Sequence, residues 1–122
     1  MIQASCHCGN VKLNVNNLPS SITSCNCSIC DRLGSLWAYY KPGEVTISFD
    51  KAPTIAYLWG DRELEFHHCV ICGCTTHYVT TDKCDVEKTA VNARMMKQES
   101  ILALPIRYFD GAKMQMKGNQ DD

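Results

Sequence analysis

The sequence has no surplus of positive charge. Its 12 Lys and Arg stand against 13 Asp and Glu, a formal net charge of −1 over 122 residues. A domain that tracks nucleic-acid phosphates needs a basic excess, so no nucleic-acid partner is expected. Long apolar runs are missing too. Stretches such as Leu36-Trp37-Ala38-Tyr39-Tyr40 are far shorter than the roughly 20 residues that span a bilayer. The first residues, Met-Ile-Gln-Ala-Ser-Cys, carry neither the basic n-region nor the apolar h-region of a signal peptide. The expectation is no membrane association and a reducing, cytoplasmic setting. No Walker loop, dinucleotide fingerprint or nucleophile elbow occurs, so those reaction types have no support. Internal repeats and low-complexity tracts are also absent.

What is present fits one small globular domain. Apolar residues make up 45% and charged residues 20%. Short strands cut by turns dominate. Val11, Leu13 and Val15 alternate with Lys12, Asn14 and Asn16, a half-buried strand. Leu36 to Lys41 reads as a buried strand, and Val45, Ile47 and Phe49 alternate again. Ile55 to Trp59 and Leu64 to His68 flank a Gly60-Asp61 turn, which predicts a hairpin. Thr75 to Thr80, Ala90 to Ala93 and Ile106 to Phe109 are further strand candidates. Met95 to Leu104 holds a short helix or a 3₁₀ turn. The reading is a mostly β single domain over 1–112 with little helix. A polar tail, 113–122, is expected to fray. Sheets this small rarely hold alone, so a metal staple makes physical sense.

Cysteine supplies the candidate staple. Eight of the nine cysteines fall in three clusters: Cys6-His7-Cys8, Cys25-Asn26-Cys27-Ser28-Ile29-Cys30, and Cys69-Val70-Ile71-Cys72-Gly73-Cys74. Cys84 stands apart. In a reducing compartment, clustered thiols read as metal ligands before disulfides, and an odd count leaves one unpaired in any disulfide scheme. The Cys69-x-x-Cys72-Gly73 spacing chelates one ion from a tight turn, with Gly free to take a positive φ. Cys6 and Cys8, at i and i+2, would share one face of a strand and complete a closed, structural site. His7 would then point to the other face.

Cys25, Cys27 and Cys30 remain together. Three crowded thiolates bind one ion and leave a fourth position open, the mark of a catalytic rather than a structural zinc. Cys74 or Cys84 would close that site if either reached it. An iron centre is the alternative metal. Outside the clusters, Cys74 and Cys84 read as small buried apolar residues. His67, His68 and His77 read as packed residues rather than ligands. Trp37, Tyr39 and Tyr40 read as core or as a pocket wall. Arg32, Lys41, Arg94 and Arg107 are candidate contacts for an anionic ligand. Asp110-Gly111 reads as an ordinary turn.

The order of the clusters resembles the glutathione-dependent formaldehyde-activating enzyme family, also called the centromere protein V family. The motifs that carry this are Ser5-Cys6-His7-Cys8-Gly9, Cys25-Asn26-Cys27-Ser28-Ile29-Cys30-Asp31-Arg32-Leu33-Gly34 and Cys69-Val70-Ile71-Cys72-Gly73. Together they cover roughly residues 4 to 111. The resemblance implies a β-tent fold and two zinc ions. One is structural, on Cys6, Cys8, Cys69 and Cys72. The other is catalytic and exchangeable, on Cys25, Cys27 and Cys30. The implied activity is a carbon–sulfur lyase type, joining glutathione or a similar small thiol to formaldehyde or a related small aldehyde. Three positions depart from the family pattern: Asp31 for a basic residue, His68 for an aromatic one, and Cys74 for Ser or Thr. Two other classes compete with the enzyme: a non-catalytic zinc-stapled module that binds a protein, and a thiol or zinc sensor.

Overall fold

Alternating apolar residues give β2 (Val11–Val15) one buried side, with Val11, Leu13 and Val15 almost wholly inside. In the computed structural model, which describes Met1–Lys113, β2 is the centre of a three-stranded antiparallel sheet. β1 (Ile2–Ser5) flanks it on one side, with Ile2 opposite Val15. After β3 (Ile22–Cys25) and β4 (Trp37–Tyr40) comes β5 (Val45–Phe49), which flanks β2 on its other side.

The remaining strands are β6 (Ile55–Tyr57), β7 (Leu64–His68), β8 (Thr75–Thr80), β9 (Thr89–Asn92) and β10 (Ile106–Phe109). They join β3 and β4 in a seven-stranded sheet of order β10-β3-β4-β9-β8-β7-β6. Every pairing is antiparallel except β10 with β3. That exception follows from the connection. After β9 the chain passes through a 3₁₀ turn at Ala93–Met95 and a helical turn, α2 (Gln98–Ile101), and so enters β10 in the direction of β3.

The large sheet is buried on two faces by different partners. Its inner face carries Ala38 and Val91, register partners, which pack with Ala4, Val11, Leu13 and Val15 of the small sheet. Its outer face carries Trp37, Phe66, Tyr78 and Ala90, in a second core with Cys30 of α1 (Ser28–Leu33). The Trp37 ring meets Tyr78 edge-on at 4.8 Å and Phe66 at 6.1 Å. Such aromatic pairs add about 1 kcal/mol each beyond burial.

The protein is mostly β with little helix, and no helix of the described residues is long and apolar enough to cross a membrane. Several local expectations need correction. Cys6 and Cys8 are not on a strand but on the turn between β1 and β2, where Gly9 takes φ +85°. His7 is therefore exposed on that turn, not turned to a second strand face. The Ile55–Trp59 segment ends as strand at Tyr57. Of the Leu36–Lys41 run, Leu36, Trp37 and Ala38 are buried, while Tyr39 is 37% exposed on the outer face. Ile106–Phe109 docks as β10 yet leaves all four residues exposed, because it is a sheet edge. Of the tail, 114–122 lies outside the described residues.

Candidate functional site

The first cluster is made by two turns that face each other. The β1–β2 turn closes through Gly9 N–H to Cys6 O at 3.2 Å and Cys6 N–H to Val11 O at 3.1 Å. The β7–β8 turn closes through Gly73 N–H to Cys69 O and Cys69 N–H to Cys74 O, both at 2.9 Å, with Gly73 at φ +80°. Between them the sulfurs of Cys6, Cys8, Cys69 and Cys72 lie within 4.8 Å of one another. Cys6 and Cys69 are buried, Cys8 is exposed and Cys72 is half-buried. Burial works against the Cys72 anion, but the backbone N–H groups of Cys74 and Cys8 lower its thiol to about 5.

Asn10 braces this cluster from behind. Its amide N–H donates to Ala52 O at 2.8 Å and to Cys69 Sγ at 3.5 Å. Its carbonyl oxygen accepts from the N–H groups of Lys51 at 2.7 Å and Ala52 at 3.0 Å. The side chain is 3% exposed, so these bonds are made without competing water.

The second cluster sits at the end of β3 and the start of α1. Cys25, Cys27 and Cys30 place three sulfurs within the same 4.8 Å reach, with no fourth Cys, His or carboxylate among the described residues. Cys27 is the residue before the first helical turn, and its carbonyl accepts from Asp31 N–H at 2.9 Å. Gly34, at φ +64°, ends the helix. Thiol hydrogen bonds from Cys25 and Cys30, then the N–H groups of Cys30 and Ile29, hold Cys27 far below the ordinary thiol value. The same sharing, with burial added, pushes Cys30 up, and Cys27 pushes Cys25 up. Sharing within the cluster thus favours the anion at Cys27 over those at Cys25 and Cys30. A divalent cation would displace the remaining protons.

The surroundings of this second cluster are specific. Trp37 Nε1–H donates to Cys30 Sγ at 3.3 Å from inside. On the opposite side runs the segment after β10. Asn26 ties it down: its N–H donates to Phe109 O at 3.3 Å and its side-chain N–H to Asp110 Oδ1 at 3.1 Å. Its Oδ1 accepts from Ala112 N–H at 2.9 Å. This brings buried Gly111 onto the cluster, so Asp110-Gly111 is a clamp, not an ordinary turn. Sequence reading missed it because the partners are 84 and 86 positions apart. It also missed β3, which carries Cys25, and α1, which carries Cys30 and is preceded by Cys27.

The other candidate residues fall elsewhere. Cys74 lies beside Cys72 but outside the four-sulfur group, and Cys84 lies in the β8–β9 connection. Both are half-buried, so neither is a fully buried apolar filler, and neither closes the three-sulfur cluster. His67 and His77 stack at 4.5 Å as register partners, far from a ligand role. His68 joins no cluster of the described residues. Arg94 bonds Gly34 O, Arg32 bonds Ser28 O at 2.9 Å, and Lys41 caps a 3₁₀ turn. Tyr40 bonds Asn17 O at 2.9 Å. Tyr39 faces Tyr78 and Thr23 on the side of the sheet that carries Cys25 and Cys30. Asp31 is exposed on α1.

Each cluster is therefore fit to hold one metal ion: soft sulfur donors, gathered, with backbone N–H groups favouring their anions. The first has a full tetrahedral donor set and the second lacks one donor. No family model and no curated protein matches the chain. Among solved structures, a crystal structure of a Rhodobacter sphaeroides protein is similar, with TM-score 0.71 and 23% identity. It covers 87% of this chain and 100% of its own. That likeness speaks for the fold.

Proposed function

We propose that the chain is a two-zinc enzyme of the glutathione-dependent formaldehyde-activating type, with a β-tent fold. Cys6, Cys8, Cys69 and Cys72 hold the structural ion, and Cys25, Cys27 and Cys30 hold a catalytic, exchangeable one. The observation that carries this is the difference in donor count. Four sulfurs in the first cluster close a tetrahedron, while three in the second leave room for one outside ligand. The sequence motifs around those same residues support the family reading. The reducing, cytoplasmic setting belongs to the same proposal, because both clusters work only as free thiolates.

The reaction is an addition. The thiol RSH and the aldehyde H₂C=O give RSCH₂OH: the S–H bond breaks, the sulfur forms a bond to carbon, the carbonyl π pair moves to oxygen, and oxygen takes the proton that sulfur gave up. Bound zinc would lower the pKa of an incoming thiol and act as a Lewis acid. The chain's own residues supply position and hydrogen-bond donors. Trp37 fixes Cys30 from inside, and the clamp at Gly111 fixes Cys25 from outside. Burial, and then neighbouring Tyr39, raise the Tyr78 phenol, so it stays protonated at neutral pH. Tyr39 is raised by burial as well. This pair presents O–H groups as hydrogen-bond donors on the same face as the sulfurs. Thiols add to formaldehyde readily unaided, so most of the available gain is proximity.

The test is native mass spectrometry of the zinc-loaded protein with added glutathione, paired with exchange kinetics of S-hydroxymethylglutathione. Two zinc ions are expected, the second either joined by one glutathione or released by it. Cys27→Ser should leave one ion and abolish both the response and the catalysed exchange. Two ions indifferent to glutathione, or one ion that added zinc cannot double, would overturn the enzyme reading. A zinc-stapled binding module would then be the better description.

A further inference from the structure

The face that carries the three-sulfur cluster also carries a cation, Arg107, with no ion-pair partner among the described residues. β10 and β3 are parallel, with Arg107 in register with Thr23 and Phe109 in register with Cys25. Partners in register present their side chains to the same face of a sheet. Arg107 therefore stands one residue pair away from Cys25, about 6.6 Å along the strand. Its guanidinium leans over the Phe109 ring, 5.7 Å from the centroid, and Nη1 donates to Thr23 Oγ1 at 3.4 Å. Phe109 is the residue alongside Cys25, so the lean is toward the cluster.

The local acids do not neutralise it. The one ion pair among the described residues is His67 with Glu65, on β7. Asp110, the nearest acid in sequence, spends Oδ1 on Asn26 and the Lys113 N–H. A guanidinium has five N–H donors in a planar fork, and Thr23 takes one weakly. A carboxylate can be bound edge-on by the others, the geometry that makes such pairs strong and selective.

We propose that Arg107 is the specificity-determining residue of the three-sulfur site. It binds the carboxylate of a thiol whose anionic group lies several bonds from sulfur, and it disfavours neutral thiols by comparison. This rests on reading the three-sulfur cluster as a thiol site. A short neutral thiol placed at the cluster does not reach one residue pair down the sheet, whereas a cysteinyl peptide does. Lys88 provides the contrast. Its Nζ lies 4.4 Å over the Tyr39 ring, and Tyr39 is two positions beyond Trp37, the partner of Thr23. It adds to the positive field without standing next to Cys25.

The experiment uses cobalt(II)-loaded protein, whose sulfur-to-metal absorption reports thiolate binding. Glutathione and 2-mercaptoethanol are titrated separately into wild type, Arg107→Met, Arg107→Lys and Lys88→Met. In Arg107→Met the Kd for glutathione should rise about tenfold, while that for 2-mercaptoethanol moves less than about twofold. Arg107→Lys should recover part of the loss, since it keeps the charge and loses the fork. Lys88→Met should change either thiol by less than about twofold. If Arg107→Met weakens both thiols equally, or neither, the proposal is overturned while the thiol site itself stands. An equal loss in Lys88→Met also overturns it, because a diffuse field would then explain the preference. If wild type binds neither thiol, the site reading fails and this inference with it.

Discussion

A methyl group on Gly111 would stand 2.6 Å from Cys25 Sγ and 3.1 Å from Cys27 Cβ. Both contacts are too close to tolerate without movement. Gly111 has no positive φ, so an alanine there meets no backbone strain; it meets only the sulfur cluster. Gly111→Ala should therefore weaken the second metal ion about tenfold or more, with the first ion untouched. The melting temperature should fall little. Metal stoichiometry by native mass spectrometry, with a competing chelator to rank affinity, checks this. Two ions held as tightly as in wild type would show that the strap does not shape the site.

The two clusters should answer differently to loss of a ligand. Cys69 is fully buried, and its cluster ties the β1–β2 turn to the β7–β8 turn, 61 residues apart between Cys8 and Cys69. Cys69→Ser should remove one ion and most of the stability, since structural zinc contributes several kcal/mol to a domain this small. Cys27 is only half-buried and lies within one local segment. Cys27→Ser should remove the other ion and cost about 1 kcal/mol or less in stability. Thermal unfolding with zinc present, compared across the two variants, decides it. Equal losses of stability would mean that both ions are staples.

What the sequence disclosed was what depends on local spacing. The CxxCG turn around Cys69 and Cys72 was readable because its geometry is set within five residues. The alternation in β2, and the Gly60-Asp61 turn that pairs β6 with β7, were readable for the same reason. What stayed hidden depends on distant pairing. β1 and β3 are four residues each, too short for a period to emerge. The i and i+2 spacing of Cys6 and Cys8 fits a strand as well as a turn. Only the hairpin register, Ser5 opposite Lys12, forces the turn. Gly111 and Arg107 gained their places from one parallel strand pairing that no local pattern announces.

Asn10 offers a sharper stability test than any apolar residue. It is 3% exposed and serves two backbone N–H groups, one carbonyl and one sulfur. Asn10→Ala would leave Lys51 N–H and Ala52 N–H short of an acceptor near the four-sulfur cluster. The expected loss is about 2–3 kcal/mol, from buried groups left unpaired rather than from a cavity. Asn10→Asp keeps the acceptors but adds an anion beside Cys69. It should lower metal affinity more than Asn10→Ala does, while lowering metal-free stability less. Urea unfolding with and without zinc separates the two effects.

The stacked histidines make stability depend on pH. Burial, helped by the nearby His67, lowers His77 from 6.5 to about 3 in the folded state. The folded chain keeps this imidazole neutral, with Thr76 Oγ1 at 2.8 Å from Nδ1, while the unfolded chain protonates it below about pH 6.5. The unfolded state then binds the extra proton, so stability falls as pH drops from 6.5 and stops falling near 3. Sites of this kind lose roughly 1 kcal/mol per pH unit inside that window. His77→Gln removes the titrating group and should flatten the slope. The comparison belongs between about pH 7.5 and pH 5.5, where the loss in wild type should be about 1.4 kcal/mol more than in the variant. Zinc release from the thiolates affects wild type and variant alike there, so it cancels in the difference. Parallel curves for the two proteins would mean that His77 is protonated within the fold, with the stack and its Thr76 bond tolerating the charge.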